Sequence, residues 1–468
     1  MAEVSARFDF RVEWLDAPGV VTPELAATWA RYEIWVGNRC VTQVESTDGS
    51  LRRSVYGALY PFAYWIASNW WLLTAHVRPS AVETRYWNWR NVRQHLWLRH
   101  HNVRGAGDGM PWPDLTIVPE GAVTRIAWSS DSQHHLTPVR FASTGYDTVP
   151  ADGFREELAK VVNHVLEQLA ESGLPKTPLA EEWSEIGKLD HEEQEFCRTA
   201  ARLGLDPFSV DDDTTNIIIA VADQLPNEVL DDFFDSADVT ALTAAATWAH
   251  DALGIADKAS GQADRVLREA YQAVQGSAEM ATGASGDHPW ATGYAMARKL
   301  RQELRLSITD RFDIAPWVGI GDVNAPSHGI YGCASIRDDR CGVVLGAKGL
   351  GSETTRFGQA RALGRALARS GQRQFIISRA RSHDEKVARA FAAELLAPAD
   401  GIREVLDSTH DSDDLALEAA ALRFQVSPLL VRHQYDNQIA ALSYGNLAAV
   451  QCRFRHSAHS SVICTPAV

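Results

Sequence analysis

The pattern of apolar and polar residues predicts strands in the first third of the chain and helices in most of the rest. Apolar and polar side chains alternate in residues 7–14 and 34–46, and residues 114–118 and 124–128 predict a hairpin. Residues 53–77 are mostly apolar and predict a long buried helix. Because tryptophan and tyrosine are frequent here, we predict a Trp-rich α+β domain over residues 1–150.

Helical spacing dominates after residue 150. Apolar side chains recur every three or four residues from Phe154 to Leu169 and again in residues 192–203, so both segments predict amphipathic helices. Residues 244–274 are rich in alanine, which favours another helix. We therefore predict a mainly helical middle region over residues 151–300.

An acidic segment lies within this middle region. Residues 206–240 contain ten Asp or Glu residues and no Lys or Arg. Clustered carboxylates usually stay in water, so the segment predicts a solvated helical face. The alternative is a surface that binds another protein.

The composition is that of a globular protein, with 45% hydrophobic and 22% charged residues, and 468 residues fit two or three domains. A net charge of -15 argues against non-specific nucleic-acid binding by the whole chain, although a local basic patch remains open. The six cysteines form no Cys-x-x-Cys pair, which fits reduced thiols in a cytoplasmic protein. No run approaches the roughly 18 apolar residues of a membrane span, so we expect no membrane partner.

Two motifs in the last third carry the candidate chemistry. Residues 356–369 read RFGQARALGRALAR, and residues 385–398 read EKVARAFAAELLAP. Apolar residues in both recur at helical spacing. Arg361, Arg365 and Arg369 recur every fourth residue, and they therefore share one side of the first helix.

The two motifs resemble the core of the ImmA/IrrE-type metallopeptidases, over about residues 318–438. In that family the first motif reads R-F-x-x-A-H-E-x-x-H and the second reads E-x-x-A-N-x-F-A-A-x-L-L-x-P. The resemblance places the family's two zinc-binding histidines at Arg361 and Arg365. It places the general-base glutamate at Ala362, and it retains only the third ligand, as Glu385.

The resemblance implies a degenerate zincin-like domain over residues 301–468, in which a small sheet packs on helices. The strands that we predict at residues 332–336 and 342–345 fit such a sheet. The expected fold class is thus α+β, multidomain and mainly helical.

Arginine at the two histidine positions removes the chemistry of the family. Catalytic zinc needs three protein ligands and an open position for water. A guanidinium stays protonated and has only donor groups. We therefore predict no metal, no cofactor and no catalysis at this site. We expect Arg361 and Arg365 to point at the former metal cavity and Glu385 to face them, and we predict that a guanidinium replaces zinc as the cationic partner of Glu385.

A segment near residues 413–438 resembles a helix-turn-helix, since Ser427-Pro428 is a typical start for a second helix. If that helix contacts DNA, we expect Arg432, His433 and Gln434 to be exposed on it. The family that the motifs resemble carries a similar segment as part of its own fold, and such helix pairs also occur as plain packing.

A basic stretch over residues 361–389 favours nucleic-acid contact as well, and Arg369 and Arg373 are candidates in it. In the first third, nearby arginines and five tryptophans could form a stacking surface for single-stranded nucleic acid: Trp70, Trp71, Trp87, Trp89 and Trp97. For these tryptophans we expect an aromatic core with a charged rim instead.

Three classes of function follow. The first is a catalytically inactive pseudo-peptidase that binds a protein partner in regulation or assembly. By resemblance to the family, its setting is bacterial stress response, phage defence or mobile-element control. The second is a nucleic-acid-binding subunit or transcriptional regulator that uses the basic stretch and the helix-turn-helix-like segment. The third is an active hydrolase whose site lies outside the two motifs.

Overall fold

The computed structural model of the chain describes residues 7–17, 19–46, 48–77, 92–131, 139–259, 289–337, 340–347, 349–368, 371–408 and 413–440, with the isolated positions 269, 272 and 274. The fold is mixed α+β, with small sheets among many helices. Contacts group the chain into a first unit, Met1–Asp212, and a second unit, Asp213–Val468. The helices of the predicted middle region belong in part to each unit.

The strands of the first unit are β1 (Phe8–Trp14), β2 (Trp29–Val36), β3 (Arg39–Cys40), β4 (Val44–Ser46), β5 (Leu51–Arg52), β6 (Val55–Ala58), β7 (Asp114–Pro119), β8 (Val123–Ser129), β9 (Val139–Phe141) and β10 (Gly145–Pro150). One sheet has the order β1–β2–β3, and β6 also pairs with β2. A second has the order β10–β8–β7, in which β7 and β8 form the predicted hairpin, and a third has the order β5–β4–β9.

The helices of the first unit are α1 (Pro23–Ala27), α2 (Tyr60–Ser68), α3 (Trp70–Ala75), α4 (Val92–His101), α5 (Ala151–Glu171), α6 (Pro178–Lys188) and α7 (His191–Arg202). The prediction of a single helix over residues 53–77 is wrong in two respects. Its first residues form β6, because their backbone pairs with β2. The rest divides into α2 and α3 at Asn69, whose side chain donates to the carbonyl of Trp65 and competes with the helical bonds.

The tryptophans described in the first unit belong mostly to its core. Trp71 and Trp97 are buried, which is the outcome that we expected over a stacking surface. Trp65 and Trp112 are also buried, and their indole N–H groups donate to backbone carbonyls at 3.0 and 3.2 Å. Trp87 and Trp89 lie outside the described residues.

Three histidines of the first unit lie close together: His76, His100 and His101. His101 Nδ1 lies 3.1 Å from the carbonyl of Ile117, and its Nε2 lies 3.4 Å from His76 Nδ1. His100 Nδ1 lies 2.5 Å from Asn69 Oδ1. Burial lowers the pKa of all three, and it lowers the pKa of His76 to about 4. These histidines are therefore uncharged near neutral pH.

This cluster predicts that the first unit loses stability in mild acid. A histidine whose pKa is lowered by folding contributes stability above its unfolded value of 6.5, and that stability is lost as the pH falls toward about 4. Going from about pH 8 to about pH 5 should remove about 2 kcal/mol through His76 alone. Urea denaturation at each pH measures this. His76→Gln should flatten the dependence, whereas His191→Gln, at an exposed position, should leave it unchanged.

The helices of the second unit are α8 (Asp212–Gln224), α9 (Asn227–Phe234), α10 (Leu242–Lys258), α11 (Pro289–Glu303), α12 (Ser352–Ala368), α13 (His383–Leu396), α14 (Ala399–Ser408), α15 (Asp413–Phe424) and α16 (Pro428–Gln434), which continues as a π-helix, Tyr435–Ala440. Its strands are β11 (Val318–Gly321), β12 (Gly332–Arg337), β13 (Arg340–Leu345) and β14 (Gln374–Ile377). The predicted strands at residues 332–336 and 342–345 are confirmed as β12 and β13.

The sheet of the second unit has the order β11–β13–β12–β14. β11 pairs with β13 in parallel, and the other two pairings are antiparallel. Apolar side chains of the strands, α12 and α13 join one core, which includes Phe375 and Phe391. This core fixes where α12 and α13, the two motif helices, face each other.

α11 packs closely against α13, with Gly293 at the point of approach. A β-carbon built at Gly293 would lie 2.4 Å from the carbonyl oxygen of Val387 and 2.8 Å from the β-carbon of Ala390. Both distances are below van der Waals contact, so the approach depends on glycine at this position.

Among the described helices, none is long and apolar enough to cross a membrane.

Candidate functional site

The arginines of the first motif are buried within the second unit. Arg361 and Arg365 lie one turn apart on α12, and only 3% and 2% of their surfaces are exposed. Ala362 and Ala366 beside them belong to the apolar core. A charged side chain is rarely buried to this extent without a partner. The site is therefore defined by the groups that neutralise these two guanidinium ions.

Arg361 makes the contact that the sequence predicts. Its Nη2 atom donates to Glu385 Oε2, and it also donates to the carbonyl of Ser378 at 2.5 Å. The guanidinium carbon lies 4.6 Å from the centre of the Tyr331 ring, close enough for a cation–π contact. The charge-assisted bond thus stands where the resemblance puts a metal ligand.

Glu385 is fully buried in the first turn of α13. Its Oε1 atom accepts from the backbone N–H of Ser378 at 2.6 Å. Ser382 caps the helix by accepting from the N–H of Glu385 at 3.4 Å. Burial alone would raise the pKa of Glu385, but the positive charge of the nearby arginines outweighs it and lowers the pKa. The carboxylate is therefore held in its charged form.

Arg389, one turn further along α13, completes the positive side of the site. Its Nη2 atom donates to the carbonyls of Ala380 at 2.7 Å and Ser378 at 3.2 Å. Burial, together with the charge of Arg361, lowers the pKa of Arg389 to about 10. It remains protonated near neutral pH, so the carbonyl of Ser378 accepts from two cations.

Arg365 has a partner that the sequence does not indicate. Its Nη2 atom donates to Asp232 of α9, and its Nη1 atom lies 3.9 Å from Asp384 Oδ2. Burial would lower the pKa of Arg365, but the negative charges of Asp232, Glu385 and Asp384 hold it above its ordinary value. The guanidinium is thus shared between α9 and the start of α13.

For Asp232, the predicted solvated acidic face is wrong. Asp232 is 9% exposed, because it lies on the same side of α9 as the buried residues Val229 and Phe233. An acidic residue at a position of an apolar helical stripe is a signal that such a side chain is buried against a cation. The ten acidic residues of the segment 206–240 led us to predict that all of them are solvated.

The charged groups of the site balance in number. Its anions are three carboxylates and its cations are three guanidinium groups: Asp232, Asp384 and Glu385 against Arg361, Arg365 and Arg389. Ala362, at the position of the family's general base, is an apolar core residue without a proton to exchange. Among the described residues, no group of three or more His, Cys, Asp or Glu side chains is placed to hold a metal ion.

The helix-turn-helix-like segment corrects one expected contact residue. Gln434 is buried, and its Nε2 atom donates to Glu394 Oε2 at 2.9 Å and to the carbonyl of Ala397 at 3.0 Å. It is therefore unavailable for a base contact. His433 is half-buried, and burial lowers its pKa. Arg432 is exposed, although it pairs with Asp414.

A buried arginine fixes the turn of this segment. Arg356 Nη1 donates to the carbonyls of Phe424, at 3.0 Å, and Gln425. Gln425 has a φ of 51°, a left-handed conformation that ends α15. Ser427 caps α16 by accepting from the N–H of Leu430 at 3.3 Å, as the sequence predicts. The segment is thus joined to α12 by hydrogen bonds from Arg356.

The basic stretch over residues 361–389 is divided between the interior and the surface. Arg361 and Arg365 are directed into the protein, and Arg389 donates inward. Arg373 and Arg379 are exposed. Arg369 lies outside the described residues. Two of the arginines that favoured a nucleic-acid surface, Arg361 and Arg365, are therefore paired with carboxylates of the same chain.

No protein-family model matches the sequence, and comparison with curated proteins finds no relative. The family resemblance of residues 356–398 thus stays a hypothesis that rests on the two motifs.

Proposed function

We propose that the chain is a catalytically inactive relative of zinc peptidases that acts as a protein-binding regulatory or assembly subunit. The observation that carries this proposal is the buried ion pair of Arg361 with Glu385. A guanidinium here meets the carboxylate that would otherwise be a third metal ligand. It neutralises that carboxylate without the electron-pair donors that zinc requires.

The charge balance of the site supports a binding role over a hydrolytic one. A hydrolytic zinc site needs an open metal position and a base that takes a proton from water. Here Ala362 cannot act as that base, and a guanidinium does not take a proton from water. What remains is a junction of α12, α13 and α9 that a partner can bind.

The relation to zinc peptidases predicts that zinc binding can be restored. In Arg361→His with Ala362→Glu and Arg365→His, the two imidazoles join Glu385 as ligands, because residues one helical turn apart share a helix face. We expect about one zinc per chain, removable by a chelator, and none in the original chain. Metal analysis after dialysis measures this.

The matched control for that variant moves the same residues out of register. Arg373→His with Arg379→His places histidines at exposed positions beyond α12, and it should bind no stoichiometric zinc. Failure of the folded triple variant to bind zinc would refute the alignment with the family.

Partner binding needs its own experiment. A photo-crosslinking amino acid at the exposed position Arg379 should trap a protein in cells, whereas one at the exposed Tyr64 should not trap the same protein. The purified partner should bind the chain with an affinity that chelator does not change, and it should remain uncut. A partner that is cleaved, or identical products at both positions, would count against the proposal.

A further inference from the structure

The acidic helix α9 is seated on the arginine site by polar contacts at both ends. Asp232 accepts from Arg365 on α12. One turn earlier, the carboxylate of Glu228 accepts from the backbone N–H groups of Arg373 at 2.9 Å and Gln374 at 3.0 Å. The side chain of Gln372 donates to the carbonyl of Glu228 at 2.8 Å. α9 therefore joins the arginine helix to the beginning of β14.

The surface under α9 has the chemistry that receives an acidic segment. β14 is the last strand in the order of its sheet, and the N–H of Gln374 points away from the neighbouring strand. An edge N–H and a guanidinium are both donors that prefer carboxylate acceptors. Val229, Phe233 and Phe234 of α9 are buried, so the helix also contributes apolar contacts.

Arg365 has donor capacity beyond its bond to Asp232. Among the described residues, its Nε and Nη1 atoms have no hydrogen-bond partner, although Arg365 is almost fully buried. A buried unsatisfied donor requires an explanation in a native protein. Asp384 Oδ2 lies 3.9 Å from Nη1, which is longer than a hydrogen bond, so the guanidinium can accept a further acceptor oxygen beside Asp232 and Asp384.

α9 is held by these tertiary contacts more than by its own helical stability. It has eight residues, and its N-cap position is Pro226, which makes no side-chain capping bond. An isolated helix of this length is unstable in water. Its conformation therefore depends on the surface that it covers.

We propose that α9 is a built-in ligand of the arginine site, and that the partner protein binds there through an acidic segment that replaces it. The segment has the pattern of α9, with two carboxylates one helical turn apart, aliphatic residues between them and two aromatic residues directly after the second. The proposal rests on the proposed function, because it names the class of partner for that site. Release of α9 would couple partner binding to exposure of the acidic segment.

A peptide competition tests this in the full-length chain. The probe is a fluorescein-labelled peptide of residues 224–239, and its binding is followed by anisotropy. Asp232→Asn weakens the internal ligand, so the peptide should bind this variant at least about tenfold more tightly than the original chain, since the site is open more often. Asp223→Asn removes the charge of an exposed acid in α8 and should bind the peptide as weakly as the original chain.

A second measurement covers the case in which Asp232→Asn does not fold. In the original chain, excess unlabelled peptide should accelerate amide hydrogen exchange in residues 229–234 and leave α12 unchanged. The same peptide with Glu228→Gln and Asp232→Asn should have no effect. Equal affinities of all three chains, or unchanged exchange in α9, would overturn the proposal. A trapped partner would then still support the proposed function, so the two failures are distinguishable.

Discussion

Replacing Glu385 with alanine is expected to lower the stability of the second unit by about 3–5 kcal/mol. Glu385 is fully buried and receives bonds from Arg361 and the N–H of Ser378. Its removal leaves three guanidinium groups near one another with two carboxylates, and uncompensated buried charge is strongly destabilising. Urea denaturation followed by far-UV circular dichroism measures the change.

Further variants separate the effect of the lost charge on stability from the effect of the lost side-chain volume. Glu385→Gln retains the shape and one acceptor but not the charge, so its stability should lie between those of the original chain and Glu385→Ala. Arg361→Met with Glu385→Leu replaces the pair by apolar groups, and it should recover part of the loss. Glu404→Ala, at an exposed position of α14, should change stability by less than about 0.5 kcal/mol. A Glu385→Ala chain as stable as the Glu404→Ala chain would rule out the buried ion pair.

Replacing Gly293 with valine is expected to lower the stability of the second unit by about 2–3 kcal/mol. The new β-carbon would overlap the carbonyl oxygen of Val387 at 2.4 Å and the β-carbon of Ala390 at 2.8 Å. Both of these atoms are fixed by the backbone of α13, so the overlap can be relieved only if α11 and α13 move apart. Thermal and urea denaturation both report this change.

Gly254 provides the matched control for that substitution. It also lies within a helix, α10, but a β-carbon built there meets nothing within 4 Å. Gly254→Val should therefore be nearly neutral, and Gly254→Ala should stabilise the chain by about 0.5–1 kcal/mol through helix propensity. Equal effects of valine at both positions would show that α11 and α13 do not approach closely.

Local sequence patterns predicted much of the fold. The alternation of residues 7–14 gave β1, the spacing after Phe154 gave α5, and the hairpin appeared at its predicted position. The prediction failed in residues 53–77, which are mostly apolar and so suit a helix, but whose residues 55–58 pair with β2. A short apolar segment does not distinguish a buried strand from a buried helix until its neighbour is known.

The candidate site was predictable in part. Arg361 and Glu385 were identified because their motifs carry recognisable spacing, and the two side chains are in contact. Asp232 was missed because it is one of ten acidic residues in residues 206–240, and no motif distinguishes it from the others. Gln434 was expected to be exposed, yet Glu394, a buried carboxylate on α13, draws it inward.

The sequence by itself determined that arginine stands where the resembled family has metal-binding histidines, since the inability of a guanidinium to donate an electron pair is a property of the side chain alone. Only the tertiary structure decided which carboxylate neutralises which arginine. Asp232 and Arg365 are 133 positions apart in the chain, and their contact depends on how α9 packs against α12 and β14. The type of each residue fixes its charge, but three-dimensional packing fixes which charges pair in a protein interior.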